Sequence, residues 1–178
     1  MSNTEQKKIK IYIIPILIIA LLTALDQFTK TIIVGKLAVQ ESIDVIKGVF
    51  TITYVQNRGI AWGMLEGKII LFLIMTFLIV GLCFYIYQNI LNYPKFRLFR
   101  ICLIVLISGA IGNMIDRVKL GYVIDFFSFD LIDFPVFNVA DIYIVCSMFV
   151  IFFLILFKFK DDDLTKLFKK IPDDSEDK

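Results

Sequence analysis

The chain has 178 residues, of which 58% are hydrophobic, and its mean hydropathy is +0.81. Ordinary soluble domains contain about 45–50% apolar residues, so this composition predicts a membrane protein. The net charge is only +2 and the basic residues form no stripe, which excludes a nucleic-acid-binding protein. The sequence contains no histidine, which excludes histidine-based nucleophilic and metal sites, and we expect no metal or cofactor.

Four long apolar runs predict four membrane-spanning helices, because about 20 residues are needed to cross a hydrocarbon core about 30 Å thick. The fold class that follows is an all-α membrane protein, a four-helix bundle in one domain over residues 1–178. The expected spans lie at about 11–34, 69–91, 98–117 and 139–159.

The distribution of lysine and arginine predicts the orientation of these spans. With both termini in the cytoplasm, twelve of the 19 basic residues lie inside and seven lie outside. Lys7, Lys8 and Lys10 could also open a cleaved signal peptide, but no cleavage pattern of small residues follows the first apolar run. We therefore expect a multi-pass protein with a solvated cytoplasmic tail at 160–178, although a short surface helix in that tail is an alternative.

The two segments expected on the outer side differ in composition. Residues 35–67 are too many for a bare connection, and Phe50–Val55 alternates bulky and small polar residues as a strand does. Val45-Ile46 could pair with it across a tight turn, so we predict a small sheet between the first two helices. The segment Lys119–Asn138 is strongly aromatic, and we predict an outer loop at the level of the lipid headgroups.

Polar residues cluster where three of the spans meet the outer side. Each cluster has helical spacing, so its side chains can point in one direction. A charge beside the hydrocarbon is costly unless it faces protein or water, so three convergent clusters indicate a functional site rather than helix caps and interface anchors. The clusters are Asp26 with Lys30, Asn113 with Asp116 and Arg117, and Asn138 with Asp141.

Without histidine, the chemistry available at this face is that of carboxylates. Two adjacent aspartates share one proton, so the ionised member can take a proton from water while the other supports a carbonyl oxygen. Asp125 and Asp141 have no neighbouring cation in the sequence and are the candidates for this pair. The other two aspartates have cations nearby and are interpreted as structural: Asp26 is one turn from Lys30, and Asp116 is next to Arg117.

Five short motifs follow one another along most of the chain. They are DQFTK at Asp26–Lys30, NRGIAWG at Asn57–Gly63, SGAIGNMIDR at Ser108–Arg117, GYVIDF at Gly121–Phe126 and FNVAD at Phe137–Asp141. Any one of them alone is a weak signal. In this order on a four-span chain, they resemble the motifs of the lipoprotein signal peptidases, also called signal peptidase II.

The resemblance implies an aspartic endopeptidase of the bacterial cytoplasmic membrane. Such an enzyme removes the signal peptide of a diacylglyceryl-modified prolipoprotein just before the lipidated cysteine. Its partners would be that lipid-modified prolipoprotein and membrane phospholipid, with the chain acting as a monomer and its active site near the outer face.

The resemblance also implies a role for each motif residue. Asp125 and Asp141 would be the catalytic pair, which agrees with the choice made from local charge. Asp26 and Lys30 would fix helix ends, and Asp116 would orient Arg117 or cap its helix. Five residues would hold the substrate or support the pair: Asn57, Gly59, Asn113, Arg117 and Asn138.

Two residues depart from the family pattern. Ser108 stands where glycine is usual, beside Gly109 and Gly112, which would let another helix approach closely. Its hydroxyl can bond its own helix, so we expect slight loosening at most. Ile60 stands where alanine is frequent and would add bulk beside the substrate groove, while Trp62 is interpreted as an interfacial anchor.

A small membrane transporter or proton carrier that uses the outer-face carboxylates is the alternative function. Transporters usually hold their charged groups near the middle of the membrane and are built from internal repeats. Here the charged groups lie at one end of the spans and no repeat is visible, so the peptidase is the preferred hypothesis.

Overall fold

The computed structural model describes residues 9–59 and 68–168. The expectations for Ile60 and Trp62, and for the tail after Phe168, lie outside these residues. The predicted spans are confirmed as four helices long and apolar enough to cross a membrane, although the third begins earlier and runs further than expected. These segments are Ile11–Lys36, Ile69–Asn89, Pro94–Leu120 and Val139–Lys158.

The regular helices within these spans are labelled α1 to α4, and a short helix follows them. A π-helical turn at Ile9–Ile13 precedes α1, a 3₁₀ turn at Pro94–Phe96 precedes α3, and a π-helical turn at Leu154–Lys158 extends α4. The bounds are Ile14–Lys36 for α1, Ile69–Asn89 for α2, Arg97–Leu120 for α3, Val139–Phe153 for α4 and Asp161–Phe168 for α5.

The local sequence sets both helix ends that matter for the candidate site. Helix α3 ends at Gly121, which adopts the left-handed conformation (φ 82°) that glycine tolerates best. Helix α4 begins with a reciprocal capping box, in which the Asn138 side chain accepts from the Asp141 amide and the Asp141 carboxylate accepts from the Asn138 amide. This cap places Asp141 in the first turn of α4.

Helix α3 is the central helix of the bundle and the most buried of the four. Helices α1, α2 and α4 all pack against it. A Cβ atom added at Gly109 would lie 2.4 Å from the Ala140 carbonyl oxygen, and one at Gly112 would lie 2.5 Å from the Asp26 carboxylate. The prediction that these two glycines allow close helix approach is therefore confirmed.

We expect Gly109→Ala to lower the free energy of unfolding by about 1–3 kcal/mol, because the new methyl group must displace the backbone of α4. The matched control is Gly81→Ala in α2, where a Cβ atom meets nothing within 4 Å. There alanine should be neutral or stabilising, since it favours helix more than glycine does. Thermal unfolding of both variants in detergent measures the difference, and equal melting temperatures would contradict the close approach.

The strands form one antiparallel sheet in the order β1-β2-β3-β4. The predicted strand at Phe50–Val55 is confirmed within β2, and its predicted partner Val45-Ile46 lies at the end of β1. The strand bounds are Ser42–Ile46 for β1, Phe50–Asn57 for β2, Val123–Phe129 for β3 and Phe134–Phe137 for β4.

The all-α class and the aromatic outer loop both need correction. The segment between α3 and α4 supplies β3 and β4, joined by a 3₁₀ turn at Asp130–Ile132, so it completes the sheet begun between α1 and α2. Its aromatic rings pack on one another, for example Phe127 on Phe137 with ring centroids 5.6 Å apart. The protein is therefore mostly helical with a four-stranded sheet at one end of the bundle.

The expectation of a solvated tail is wrong for its first part, because α5 lies against the bundle. Leu167 is only 3% exposed and belongs to the hydrophobic core. The alternative of a short helix is the one that the structure supports. This helix lies at the end of the bundle opposite the sheet, where α4 ends.

Candidate active site

The candidate site lies where the sheet meets the ends of three helices. It takes side chains from α1, β2, α3 and β3, and from the start of α4. The ten residues selected from the sequence all lie in this region within the described part of the chain. The two predicted catalytic aspartates, Asp125 on β3 and Asp141 on α4, belong to one hydrogen-bonded network there.

Asp125 is buried, and both of its carboxylate oxygens accept hydrogen bonds from asparagine side chains. Asn57 Nδ2 donates to one oxygen at 2.8 Å, and Asn138 Nδ2 donates to the other at 2.6 Å. Burial and, to a smaller extent, the negative charge of Asp141 raise the pKa of Asp125 to about 7, although the two amide donors act in the opposite direction. Asp125 is therefore about half protonated near neutral pH.

Asp141 is partly exposed and is held by the same asparagines that link it to Asp125. Asn113 Nδ2 donates to one carboxylate oxygen at 2.7 Å, and the Asn138 amide donates to the other at 3.0 Å. Asn138 Nδ2 also donates to Asn113 Oδ1 at 3.1 Å. The two aspartates are thus connected through two side-chain amides whose positions fix those of the carboxylates.

An ion cluster buried beside this network is centred on Lys30. Its ammonium lies 2.9 Å from the Asp26 carboxylate and 2.8 Å from the Asp116 carboxylate, and the three side chains are at most 2% exposed. The predicted pairing of Asp26 with Lys30 is confirmed. The ion-pair partner of Asp116, however, is Lys30 and not the neighbouring Arg117, so the expectation that Asp116 orients Arg117 needs correction.

Each carboxylate of this cluster also holds the backbone just before one of the predicted catalytic aspartates. Asp116 accepts from the amide of Ile124 at 3.2 Å, and Asp26 accepts from the amide of Ala140 at 3.0 Å. Lys30 is therefore linked to the backbone of β3 through Asp116, and to the backbone of α4 through Asp26. Both connections end one residue before a member of the aspartate pair.

Lys30 also determines how the Asn113 side chain is oriented. The ammonium donates to Asn113 Oδ1 at 3.0 Å. An ammonium group can only donate, so the amide must turn its oxygen towards Lys30 and its NH₂ group towards Asp141. The hydrogen-bond donor that faces Asp141 is therefore set by a cation on a different helix.

A groove with a volume of about 950 Å³ opens beside Asp141, one member of the aspartate pair. It lies between α2 and α4, with α3 as its base, and its walls are almost entirely apolar. Polar groups occur at the end near the sheet, where Asn113, Arg117 and Asp141 line it. An extended apolar ligand in this groove would bring one end to the carboxylate of Asp141.

The sequence profile of the family described as signal peptidase (SPase) II matches residues 18–157 of the chain. The chain belongs to the signal peptidase II family. It is 44% identical over 145 residues to the lipoprotein signal peptidase of Streptococcus thermophilus (strain CNRZ 1066), covering 82% of this chain and 92% of the relative. It is 39% identical over 147 residues to that of Enterococcus faecalis (strain ATCC 700802 / V583), covering 83% and 90%.

A solved structure agrees with this family membership. It is described as a bacterial membrane enzyme determined by the in meso method at 1.9 Å resolution. It is 34% identical to this chain, with a TM-score of 0.71, over 83% of this chain and 96% of its own length. The bundle and sheet of this signal peptidase II family member therefore have a close experimental counterpart.

Arg117, the last residue of the SGAIGNMIDR motif, lies along the groove in this signal peptidase II family member. Its guanidinium stacks over the ring of Phe72 on α2, 4.6 Å from the ring centroid. The stack holds the charge beside Asp141 and Asn113 at the polar end of the groove. Sequence reasoning did not identify Phe72, because one phenylalanine in an apolar run carries no functional signal.

Asn57 and Gly59 belong to one local structure at the end of β2. The Gly59 amide donates to Asn57 Oδ1 at 3.0 Å, which leaves Asn57 Nδ2 to donate to Asp125. The turn thus orients the Asn57 amide in the same way that Lys30 orients Asn113. Both side chains present NH₂ groups to the aspartate pair.

Gln27 is a functional candidate that the sequence reasoning quoted in a motif but gave no role. Its Nε2 donates to Asp116 Oδ1 at 2.8 Å, to the Gly112 carbonyl at 3.2 Å and to Asp26 Oδ2 at 3.3 Å. It therefore supports the two carboxylates of the Lys30 cluster. An amide next to Asp26 in a membrane-spanning helix was the signal that could have identified it.

The departure at Ser108 has a simple structural outcome. The side chain is fully buried, and its hydroxyl donates to the Ile104 carbonyl of its own helix at 2.8 Å, as expected. The Ser108 carbonyl accepts from the hydroxyl of Thr23 on α1 at 3.2 Å. The serine therefore fits the contact between α1 and α3 and leaves no polar group without a partner.

Proposed function

We propose that the protein is an aspartic endopeptidase that cleaves diacylglyceryl-modified prolipoproteins just before the lipidated cysteine. Membership of the signal peptidase II family supports removal of the signal peptide from a prolipoprotein. The observation that carries the aspartic type is the network in which Asn138 and Asn113 link the carboxylates of Asp125 and Asp141 at the end of an apolar groove.

In the proposed mechanism the aspartate pair holds one proton, and Asp125 carries it. The raised pKa of Asp125 supports this assignment. Asp141 takes a proton from water as the water oxygen attacks the scissile carbonyl carbon, and Asp125 donates a hydrogen bond and then its proton to the carbonyl oxygen. As the tetrahedral intermediate collapses, Asp141 gives the proton it took from water to the leaving nitrogen, and the carbon–nitrogen bond breaks. Asp125 takes back the proton of the hydroxyl that becomes the new carbonyl oxygen, so the pair again holds one proton, on Asp125.

The surrounding polar groups have supporting roles in this proposal. Asn57 and Asn138 hold Asp125, while Asn113 and Asn138 hold Asp141. Arg117 extends into the groove beside Asp141 and donates to carbonyl oxygens of the substrate backbone. Gly59 shapes the chain where β2 ends, next to the bound substrate.

The proposed topology follows from the charge distribution and from the position of the site. The sheet and the aspartate pair lie at the outer face of the bacterial cytoplasmic membrane, and both termini lie in the cytoplasm. The chain acts as one membrane domain and as a monomer, in contact with membrane phospholipid. The apolar groove accepts the signal segment of the prolipoprotein from the lipid.

The direct test incubates the purified protein in lipid vesicles with a diacylglyceryl-modified prolipoprotein and follows release of the signal peptide by mass spectrometry. We expect cleavage on the amino-terminal side of the modified cysteine, and much slower cleavage of the unmodified precursor. Equal processing of the two precursors, or cleavage at a different bond, would contradict the proposed substrate.

The raised pKa of Asp125 predicts how cleavage depends on pH. Below about pH 7 the carboxyl is protonated and competent, so activity should fall as the pH rises through about 7 and the proton is lost. The Asn57 amide opposes the raised pKa because it donates to the ionised form. Asn57→Leu should therefore move this decline to higher pH by about one unit, the equivalent of one charge-assisted hydrogen bond.

The matched control for this shift is Gln56→Leu. Gln56 points to the opposite face of β2, where it donates to the hydroxyls of Tyr54 and Tyr122. Its loss should leave the pH of half-maximal activity unchanged. A shift to lower pH in Asn57→Leu, or an equal shift in both variants, would contradict the assignment of Asp125 as the protonated member.

A further inference from the structure

Helix α5 lines the end of the groove opposite the aspartate pair. Along α3 it runs from Arg117 down to Phe99, and its far end is lined by Leu164, Leu167 and Phe168 of α5. The groove is therefore polar at the end near the sheet and apolar at the opposite end, where these three side chains of α5 form what we call the floor. No role for that floor follows from the aspartate chemistry.

Helix α5 is held in place by contacts with residues that lie across the groove from α4. The Tyr85 hydroxyl donates to the Phe168 carbonyl at 2.6 Å, and Asn89 Nδ2 donates to the Leu167 carbonyl at 2.9 Å. Asp163 forms an ion pair with Lys95, which follows α2 in the chain. Because α5 continues from α4, these contacts connect the ends of the two helices that form the groove walls.

The distance between floor and aspartate pair can be measured along α3. Fourteen residues separate Phe99 from Asn113, which corresponds to about 21 Å at 1.5 Å per residue. A helical peptide of about 14 residues has the same length. The apolar core of a signal peptide contains about 7–15 residues, so the groove matches the upper limit of that range.

We propose that α5 is a length stop for the substrate, with Leu164, Leu167 and Phe168 ending the groove at a fixed distance from Asp125 and Asp141. The proposal rests on the proposed function, since the occupant of the groove is the apolar segment of the signal peptide. A segment longer than the groove either presses on the floor or places its scissile bond beyond the carboxylates. The stop therefore selects substrates by length.

The negative charge at the start of α5 is complementary to the basic residues of a signal peptide. Asp161 and Asp162 are exposed in its first turn. The apolar core of a signal peptide is preceded by basic residues, which in this orientation would emerge beside these carboxylates. The attraction would favour a substrate that enters the groove with its amino-terminal end at the floor and its cleavage point at the aspartate pair.

The first test uses prolipoproteins with the same basic start and cleavage sequence and with apolar segments of about 10, 14 and 18 residues. One extra helical turn shifts the scissile bond by about 5.4 Å, and misplacement by about 1 Å can cost about 10²-fold in rate. We therefore expect kcat/KM for the longest substrate to be at least about tenfold below that for the middle one. Equal values for the three substrates would overturn the length stop.

The second test changes the floor itself. A chain ending at Lys160 lacks α5, and it should cleave the longest substrate as well as the middle one. The matched control is a chain ending at Phe168, which retains α5 and should keep the tenfold discrimination. If loss of α5 slows cleavage of all three substrates by the same factor, the helix is only structural and the proposal is wrong.

The third test retains α5 but places a larger side chain at the end of the groove. Leu164→Trp adds bulk on the groove side, and it should lower kcat/KM for the middle substrate relative to the shortest one. Thr165→Trp places the same side chain on the exposed face of α5 and should leave that ratio unchanged. Equal ratios in the two variants would overturn the proposal.

These outcomes are distinct from failure of the proposed function. If the wild-type protein cleaves none of the three lipidated substrates, the peptidase assignment fails. If it cleaves all three at the same rate, the peptidase assignment stands and the length stop alone fails.

Discussion

Replacing Asp125 with asparagine will lower kcat for prolipoprotein cleavage by at least about 10³-fold, and Asp141→Asn will do the same. Either change removes a group that must take up or release a proton during the reaction. At Asp125 there is a second effect, because both oxygens accept from NH₂ groups of Asn57 and Asn138. An asparagine there must point its own NH₂ group at one of these donors.

The matched control is Asp133→Asn, which removes a carboxylate from the turn between β3 and β4. Asp133 is exposed and adopts a left-handed conformation (φ 48°) that asparagine tolerates well. This variant should keep wild-type kcat. Melting temperatures of the three variants test whether folding is retained, and more than a tenth of wild-type kcat in either Asp125→Asn or Asp141→Asn would contradict the pair.

The largest expected effect on stability comes from Lys30→Met. The substitution leaves the carboxylates of Asp26 and Asp116 buried without their cation, and breaking a buried ion pair in this way costs about 3–5 kcal/mol. Methionine fills much of the volume of the lysine stem, so the loss arises from charge rather than from a cavity. For a protein of this size, the melting temperature should fall by about 10 °C.

The control for this prediction is Lys36→Met at the exposed end of α1, where the same charge is lost without burial. Its melting temperature should change by at most about 1–2 °C. A second readout separates positioning from stability. Lys30→Met should lower kcat even at temperatures where it is fully folded, because Asn113 is then free to turn its oxygen towards Asp141; unchanged kcat would contradict that role.

The convergence of polar residues on one end of the bundle could be predicted from the sequence. Four spans with outer connections place the carboxyl ends of α1 and α3 beside the start of α4, so their motifs must meet. Helical spacing also gave the Asp26–Lys30 pair. The three-residue spacing of Asn138 and Asp141 also predicts a capping box. The interpretation of the sequence took this spacing only to mean that the two side chains point in one direction.

The partner of Asp116 could not be predicted in the same way. Sequence adjacency favoured Arg117, but consecutive helical residues point about 100° apart and do not face each other. Asp116 faces α1 and binds Lys30, whereas Arg117 faces α2 and stacks on Phe72. Asp116 and Arg117 have different partners because α1 and α2 pack on different sides of α3, which the sequence alone does not show.

The missed strands and the missed helix have different physical causes. The segment that forms β3 and β4 contains aromatic residues on both faces, so it lacks the alternation that identified β2. Helix α5 has only eight residues, too few for a stable isolated helix. Its structure depends on contacts with distant residues such as Tyr85 and Asn89, which the tail sequence does not reveal.

The position of Asp141 in the first turn of α4 has a consequence for biosynthesis. Chains are made and inserted from the amino terminus, so α4 is the last of the four spans to enter the membrane. Asp125 and the asparagines of β2 and α3 precede α4 in the chain, so they are made before the second carboxylate. If the proposed pair is correct, the nascent chain therefore gains peptidase activity only after its final span has been inserted and docked against α3.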